Sequence, residues 1–418
     1  MAKPNFKIFG SILMLLGTCL GAGMLAIPLT AAPYTFATNF VFLLASWIIM
    51  TIGAFAILEV NLWMPSGSNL FTMAKNTLGN IGNIFSIIIY LLLLYALISA
   101  YIAGCSDILH GILTNHNWLI HSWQTTLLVF LLLFSVIACG IRTIDLTNRI
   151  LMITKLTAFF SMLFLMLSVI NSDLTQVGQT ISNGYSVDSF MVMNTAFGFA
   201  IILPSLRAYL DDNHASLTKT LIIGCCIPLV LYSLWVLAVQ GVIPKLGSDG
   251  LIAITESSNP NTNLINSIAL NSGYSLLALF SKTFISISAI TSFLGVGLCL
   301  VDFMKDMVNN IWDKYYDKSE LKLTNTCAKT IVIYTLSFAV PLVIVLCNPG
   351  IFIKALSYAG ILVLTFLVVL PLSMLYSGRY RLHYVGKRFI PGGKIFILLL
   401  IALNILILLY TISNMILS

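Results

Sequence analysis

Long apolar runs divided by short polar breaks set the pattern of the chain. About 20 consecutive apolar residues cross a bilayer as a helix. The pattern predicts eleven such spans, at about 8–31, 39–64, 83–113, 124–141, 148–170, 190–210, 219–243, 275–304, 328–347, 354–377 and 394–416. The intervals 171–189 and 244–274 are rich in Asn, Ser, Gly and Asp and read as solvated loops. Two spans are interrupted. In the first, Gly17-Thr18-Cys19-Leu20-Gly21-Ala22-Gly23-Met24 sets three glycines within seven positions, where a plain anchor would carry Leu or Ile. A helix that opens there must turn its freed N–H and C=O groups toward protein or a polar cavity. The competing reading is close helix contact through the small-residue pair Gly17 and Gly21. In the sixth span, Phe197-Gly198-Phe199 falls at the middle and Pro204 follows, where its ring removes a helix N–H and clashes with the preceding turn.

The two interruptions lie five spans apart, in spans that start from opposite sides of the membrane. An inverted repeat of five plus five helices places its broken helices there and builds a substrate site from them. The pattern thus predicts an all-α polytopic membrane protein with one transmembrane domain over 1–418: repeat one at about 8–170, repeat two at about 190–377 and an extra helix at about 394–416. A secondary transporter is the function class it points to.

Composition agrees, with 59% apolar and 8% charged residues and a mean hydropathy of +1.00. The first run is too long for a signal-peptide core and lacks a small-residue cleavage site, so it is expected to be retained. With the N-terminus placed in the cytoplasm, eighteen of the 21 Lys and Arg fall on the cytoplasmic side, and only Lys245, Lys282 and Lys354 on the other. That predicts an N-terminus inside, a C-terminus in the periplasm and a bacterial inner membrane. The eight cysteines form no disulfide framework or metal spacing. An intramembrane enzyme would show paired acids or a His/Glu metal pair on its helices, and an ATP-driven pump a Gly-rich loop ending in Lys-Ser or Lys-Thr. Neither is present. No cofactor and no nucleic-acid partner is implied, and the oligomeric state is left open.

The wording of the chain is informative too. Gly17-Thr18-Cys19-Leu20-Gly21-Ala22-Gly23-Met24-Leu25-Ala26-Ile27-Pro28 closely resembles the first-helix signature of the bacterial hydroxy/aromatic amino acid permeases, in particular the tyrosine- and tryptophan-specific branch. The likeness continues at Glu59 and through Tyr95 to Gly104 in span three. It takes in Asp145-Leu146-Thr147-Asn148-Arg149 and Lys155 in span five, Thr291 to Gly297 and Asp302 in span eight, and Tyr358-Ala359-Gly360 in span ten. It covers nearly the whole chain in order. The resemblance implies the LeuT-like fold of the amino acid–polyamine–cation superfamily. It also implies proton-driven uptake of tyrosine, tryptophan or phenylalanine, with one helix bundle rocking against a scaffold. One segment departs. Where the family is expected to read His-Gly-Ser, this chain reads Ala200-Ile201-Ile202. That change bears on the substrate and the proton path, and it motivates another neutral amino acid as the alternative.

An amino acid substrate presents a carboxylate, an ammonium and a side chain. Free amides around Gly21, Ala22 and Gly23, at the positive end of the outer half-helix, suit the carboxylate. Carbonyls near Gly17, Thr18 and Phe197, beside Gly198, suit the ammonium. An aromatic side chain needs an apolar slot with aromatic walls, for which Phe197, Phe199, Tyr101 and Phe293 are candidates. Ordinary helix contact is the alternative for each. Lys155, seven residues into span five, is the most informative charge, because an ionised lysine in a bilayer is costly. The resemblance implies that it stands in for a sodium ion between spans one, five and eight and carries the coupling proton. The alternative is a shallow lysine that snorkels to the surface. Thr291 and Ser292 offer hydroxyls for a competing sodium site. Glu59, Asp107 and Asp302 read as structural or gating charges, and His110, His116 and His121 as solvated loop residues.

Overall fold

The computed structural model describes residues 4–115, 117–139, 141–179, 187–316 and 322–417, and the side chains of these except at 4–6, 115, 141–146, 149, 275, 310–316, 322–327 and 417. Within them regular structure is helical, apart from an isolated bridge between Tyr34 and Gln179. Helix α1 (Pro4–Cys19) and α2 (Ala22–Thr30) form one bent pair, with 52° between their axes. Helix α3 (Phe36–Leu62) starts at Thr35, whose hydroxyl accepts from the Thr38 N–H and so caps the first turn. Helix α4 (Leu70–Asn115) changes direction at Gly79, whose φ of 76° is a backbone state that favours glycine. Then come α5 (Ser122–Ala138), α6 (Ile141–Ser168), the short α7 (Ser172–Gln176) and α8 (Val187–Ala196). A 3₁₀ turn over Gly198–Ile202 leads into α9 (Leu203–Tyr209) and α10 (His214–Val242). Helices α11 (Leu251–Glu256), α12 (Pro260–Ser272), α13 (Ser275–Tyr316) and α14 (Lys322–Cys347) precede α15 (Phe352–Leu364). A π turn over Thr365–Val369 joins α15 to α16 (Leu370–Tyr380), and α17 (Lys394–Leu417) closes the chain.

Among the described residues nine helical spans are long and apolar enough to cross a membrane, or ten when the bent α1–α2 pair counts as one. The predicted span at about 124–141 falls on α5, a shorter apolar helix of 17 residues. Two expectations need correcting. The interval 244–274 is not a plain loop, because α11 and α12 occupy much of it, with Leu251, Ile254, Leu264 and Ile268 buried. The signal was there in Pro260 at the first turn and in the i, i+4 pair Leu264 and Ile268. Interval 171–189 holds α7 and the Gln179 bridge, while 180–186 lies outside the described residues. Pro204 also acts differently from the expectation. It sits at the start of α9, where a helix has no use for its N–H, so it opens that helix and does not break one.

The chain divides into two compact units, the first made of Met1–Leu93, Leu163–Thr255 and Leu356–Ser418, the second of Leu94–Met162 and Glu256–Ala355. In the first, α3 lies close against the π turn, with a Cβ on Gly53 falling 2.2 Å from the Leu367 carbonyl oxygen, so only glycine fits. Glu59 at the end of α3 takes both forks of Arg379 from α16, at 2.7 and 2.6 Å, and the Phe389 N–H at 2.8 Å. Both charges are buried, so each depends on the other. In the second unit, Asp107 of α4 caps the start of α12 by accepting from the Asn261 N–H (2.7 Å) and the Thr262 hydroxyl (2.8 Å). The predicted structural reading of Glu59 and Asp107 agrees with these partners.

Candidate functional site

The first break comprises Leu20 and Gly21 alone. The Leu20 N–H still donates to the Leu16 carbonyl at 2.9 Å, and the Gly21 N–H folds back onto Cys19 at 2.8 Å. Gly21 is the N-cap of α2 in extended backbone, φ −114° and ψ −165°. The first amides of a helix have no intrahelical carbonyl to bind. At α2 the Met24 N–H folds back onto the Gly21 carbonyl at 3.1 Å, and the positive end of the helix dipole, with the Gly23 amide, lies at the break. Gly23 faces the second break closely, since a Cβ there would lie 3.3 Å from the Cα of Ala196.

The second break starts where α8 ends. Phe197 leaves helical geometry at ψ 19°, and Gly198–Ile202 continue as a 3₁₀ turn. Ala200, Ile201 and Ile202 are part of that turn, with Ala200 buried and the two isoleucines half-buried. The first span opens by an axis bend, whereas the sixth changes helix type without losing its course.

One phenol joins the two. The Tyr232 hydroxyl on α10 lies 2.8 Å from the Cys19 carbonyl and 2.9 Å from the Ala196 carbonyl and shares its proton between them. Its ring packs on Phe197 at 4.9 Å. One turn along α10, the Trp235 indole N–H donates to the Met24 carbonyl at 3.2 Å. Sequence reasoning misses both residues. Their signal is a pair of aromatics with polar tips, three apart, in an otherwise apolar span.

Around the breaks, Gly17, Gly21, Thr195 and Gly198 are half-buried and Thr18 is exposed, while Cys19, Leu20 and the whole of α2 are buried. Thr18 donates its proton to the Leu15 carbonyl (2.7 Å) and Thr195 to the Leu356 carbonyl (2.9 Å). Each hydroxyl keeps lone pairs that accept from a cation. Of the predicted residues, this unit brings together Gly17, Thr18, Gly21, Ala22, Gly23, Phe197, Gly198 and Phe199. Phe197 and Phe199 are fully buried.

Tyr101, Phe293, Lys155, Thr291 and Ser292 belong to the second unit. Phe293 is fully buried and stacks on Phe338 at 6.1 Å. Lys155 is only 2% exposed, so it does not snorkel. Its ammonium donates to the Thr291 hydroxyl on α13 at 3.2 Å, and Thr291 donates in turn to the Ser288 carbonyl at 3.2 Å. Ser292 also bonds back to Ser288, at 2.8 Å. The Ser288 hydroxyl is buried with no partner among the described residues. Asp302 pairs with Lys305 at an exposed position. His121 precedes α5, where its N–H donates to Gln124 at 3.0 Å; His116 lies outside the described residues. No cluster of His, Cys, Asp or Glu suited to a metal occurs among the described residues.

Just past the C-terminal end of α2, the Ala31 and Tyr34 carbonyls accept from the Asn39 amide (2.9 and 3.2 Å) and the Gln240 amide (3.0 and 3.2 Å). The Lys245 ammonium also binds the Tyr34 carbonyl. A cation at a helix C-terminus suits the dipole, and burial pushes this lysine down to about 8.

Comparison with known proteins assigns the chain to a family. The Haemophilus influenzae protein named tyrosine-specific transport system 1 is 33% identical over 402 residues, covering 96% of this chain and 95% of that one. Its tyrosine-specific transport system 2 is 31% identical over 405 residues, with 96% and 95% covered. Glutamine transporter 2 of Aliivibrio fischeri is 29% identical, covering 90% of each. Residues 5–411 match the model of the tryptophan/tyrosine permease family, and the chain belongs to that family.

Proposed function

We propose that the protein imports an aromatic amino acid by proton symport with alternating access, using a LeuT-like fold of eleven transmembrane helices. The observation that carries this reading is the pair of broken spans held at one phenol, with backbone and hydroxyl acceptors beside an inward-pointing helix N-terminus. The positive end of α2 around the Gly23 amide would hold the substrate carboxylate, and the Gly17 and Thr18 region its ammonium. No buried acid is needed for either. The division into two compact units, each drawing helices from both halves of the chain, supports rigid-body movement during transport. The Lys and Arg distribution supports a cytoplasmic N-terminus, and membership of the permease family supports inner-membrane placement.

Proton coupling rests on Lys155. Its ammonium already uses the Thr291 hydroxyl that a sodium site would need, and a sodium ion beside a buried ammonium is repelled. A second reading, transport of another neutral amino acid, is favoured by Ala200-Ile201-Ile202 and by the relative named for glutamine. The test is uptake of labelled tyrosine, tryptophan, phenylalanine, leucine and glutamine into proteoliposomes under an inward proton gradient, an inward sodium gradient or none. Accumulation of an aromatic substrate driven by protons alone is expected. Accumulation of glutamine or leucine alone favours the second reading, and dependence on sodium refutes the role given to Lys155.

A further inference from the structure

No Asp or Glu follows Glu320 in the sequence, yet the connection between α16 and α17 carries Arg381, His383, Lys387 and Arg388, with Lys394 opening α17. Arg381 to Arg388 are eight consecutive exposed residues. They lie between two membrane-crossing spans, so the loop meets one membrane surface. Its tip is apolar. Val385 is 96% exposed, and Leu382 and Tyr384 are exposed beside it. In water such a tip is unfavourable.

The loop is nevertheless built. The Leu382 N–H binds the Ser377 carbonyl (3.0 Å) and the Tyr384 N–H binds Gly378 (2.9 Å). Arg379 donates to the Ile390 carbonyl at 2.9 Å, and Glu59 holds the Phe389 N–H. The Tyr384 ring lies 5.6 Å from that of Trp63. The charges are gathered as well. The Arg381 guanidinium and the Lys394 ammonium lie 6.0 and 5.9 Å from the same Tyr376 ring, and Lys387 lies 5.2 Å from Phe389. Two cations on one ring, with no acid in the loop, repel each other until an anion joins them.

We propose that this loop is a docking surface for anionic phospholipid. Arg381, Lys387, Arg388 and Lys394 bind the phosphodiester headgroups, and Val385 sits among the acyl chains. Juxtamembrane Lys and Arg clusters are drawn to anionic lipid in this way, and an apolar tip beside them inserts at the headgroup–acyl boundary. The fixed backbone presents the charges without an ordering cost on binding. The proposal does not depend on the transport reading or on which side of the membrane the loop faces.

The test uses the full chain with Val385→Trp in vesicles of mixed phosphatidylglycerol and phosphatidylcholine. Acyl-chain bromines are placed on one lipid or the other, and quenching in the parent protein is subtracted. At equal mole fraction, brominated phosphatidylglycerol is expected to quench the introduced indole about twofold more than brominated phosphatidylcholine. The preference should vanish in an R381Q/K387Q/R388Q background. In the V385W protein with its charges intact it should also vanish in about 1 M salt, which screens the loop without any further substitution. Equal quenching by both lipids overturns the proposal, as does a preference that survives both treatments. Absence of quenching puts the tip in water and also overturns it. If inorganic phosphate removes the preference at constant ionic strength, the loop binds a soluble anion and the lipid assignment fails.

Discussion

Removing one oxygen tests whether the two breaks work as a unit. In Tyr232→Phe the ring and its contact with Phe197 at 4.9 Å remain, while the donor shared by the Cys19 and Ala196 carbonyls is lost. Cys19 still accepts from the Gly21 N–H at 2.8 Å, so the main loss falls on Ala196, whose carbonyl is left in a buried place. Leaving a buried acceptor unmet costs about 1–3 kcal/mol. If that energy holds the breaks in their binding geometry, substrate affinity falls about 5- to 150-fold. Tyr95→Phe is the control. It deletes a hydroxyl that donates to the Leu336 carbonyl at 2.6 Å at a more exposed position within the other unit. Both variants would be compared by melting temperature in detergent and by calorimetric titration with tyrosine. The expected result is affinity loss in Tyr232→Phe alone, with the smaller melting change in Tyr95→Phe. Unchanged affinity in Tyr232→Phe, or an equal loss in both, refutes the claim that the phenol organises the site.

Gly23→Val places a branched side chain where even a Cβ lies 3.3 Å from the Ala196 Cα. It should abolish binding while membrane insertion, read by fractionation, is retained. Lys155→Ala should reduce proton-driven accumulation in proteoliposomes to about the equilibrium ratio, and Thr291→Val should weaken its pH dependence; concentration of substrate with unchanged pH dependence in Lys155→Ala would remove this residue from the coupling step. Glu59→Gln leaves the buried Arg379 without its counter-charge and should cost about 3–5 kcal/mol, seen as early thermal unfolding. The double variant Glu59→Met with Arg379→Met should recover part of that loss. Lys245 releases its proton near pH 8 in the folded protein against the usual 10.5 when exposed. Between those values the unfolded chain binds more protons, so stability relative to Lys245→Gln should rise with pH across that window; a flat or falling difference would contradict the burial of its charge.

The breaks are legible because glycine clusters and mid-span prolines are costly in a bilayer unless they serve something. Gly17 to Met24 identifies the first opening within two residues, and Phe197-Gly198-Phe199 locates the second. Pro204 reads as a breaker, yet it opens α9, since the effect of a proline depends on where the helix starts and sequence alone leaves that start ambiguous. For the interval 244–274, composition gives its Asn and Ser more weight than the two apolar turns that bury it. Lys155 stands out from hydropathy alone. Its partner Thr291 reads in sequence only as a rival, because a contact between residues 136 apart is a tertiary fact. The role of Tyr232 is closed to sequence reading for the same reason.

The two breaks differ in a way that bears on how such a site is held. A helix that bends, as α1–α2 does, exposes amides at one end and carbonyls at the other, and each needs a partner. A helix that tightens into a 3₁₀ turn, as between α8 and α9, keeps bonding along its axis and exposes fewer groups. The chain meets this imbalance unequally. Past the C-terminal end of α2, Asn39, Gln240 and Lys245 converge on the Ala31 and Tyr34 carbonyls. At its N-terminal end, the N-cap is Gly21, which has no side chain to accept from the first turn. One end of the half-helix is therefore anchored by protein donors, while the other has no side-chain cap and carries the positive pole of the dipole. In the proposed site, a substrate carboxylate there would supply the acceptor that a Ser, Thr or Asp at the N-cap would otherwise provide, and binding would also order the break.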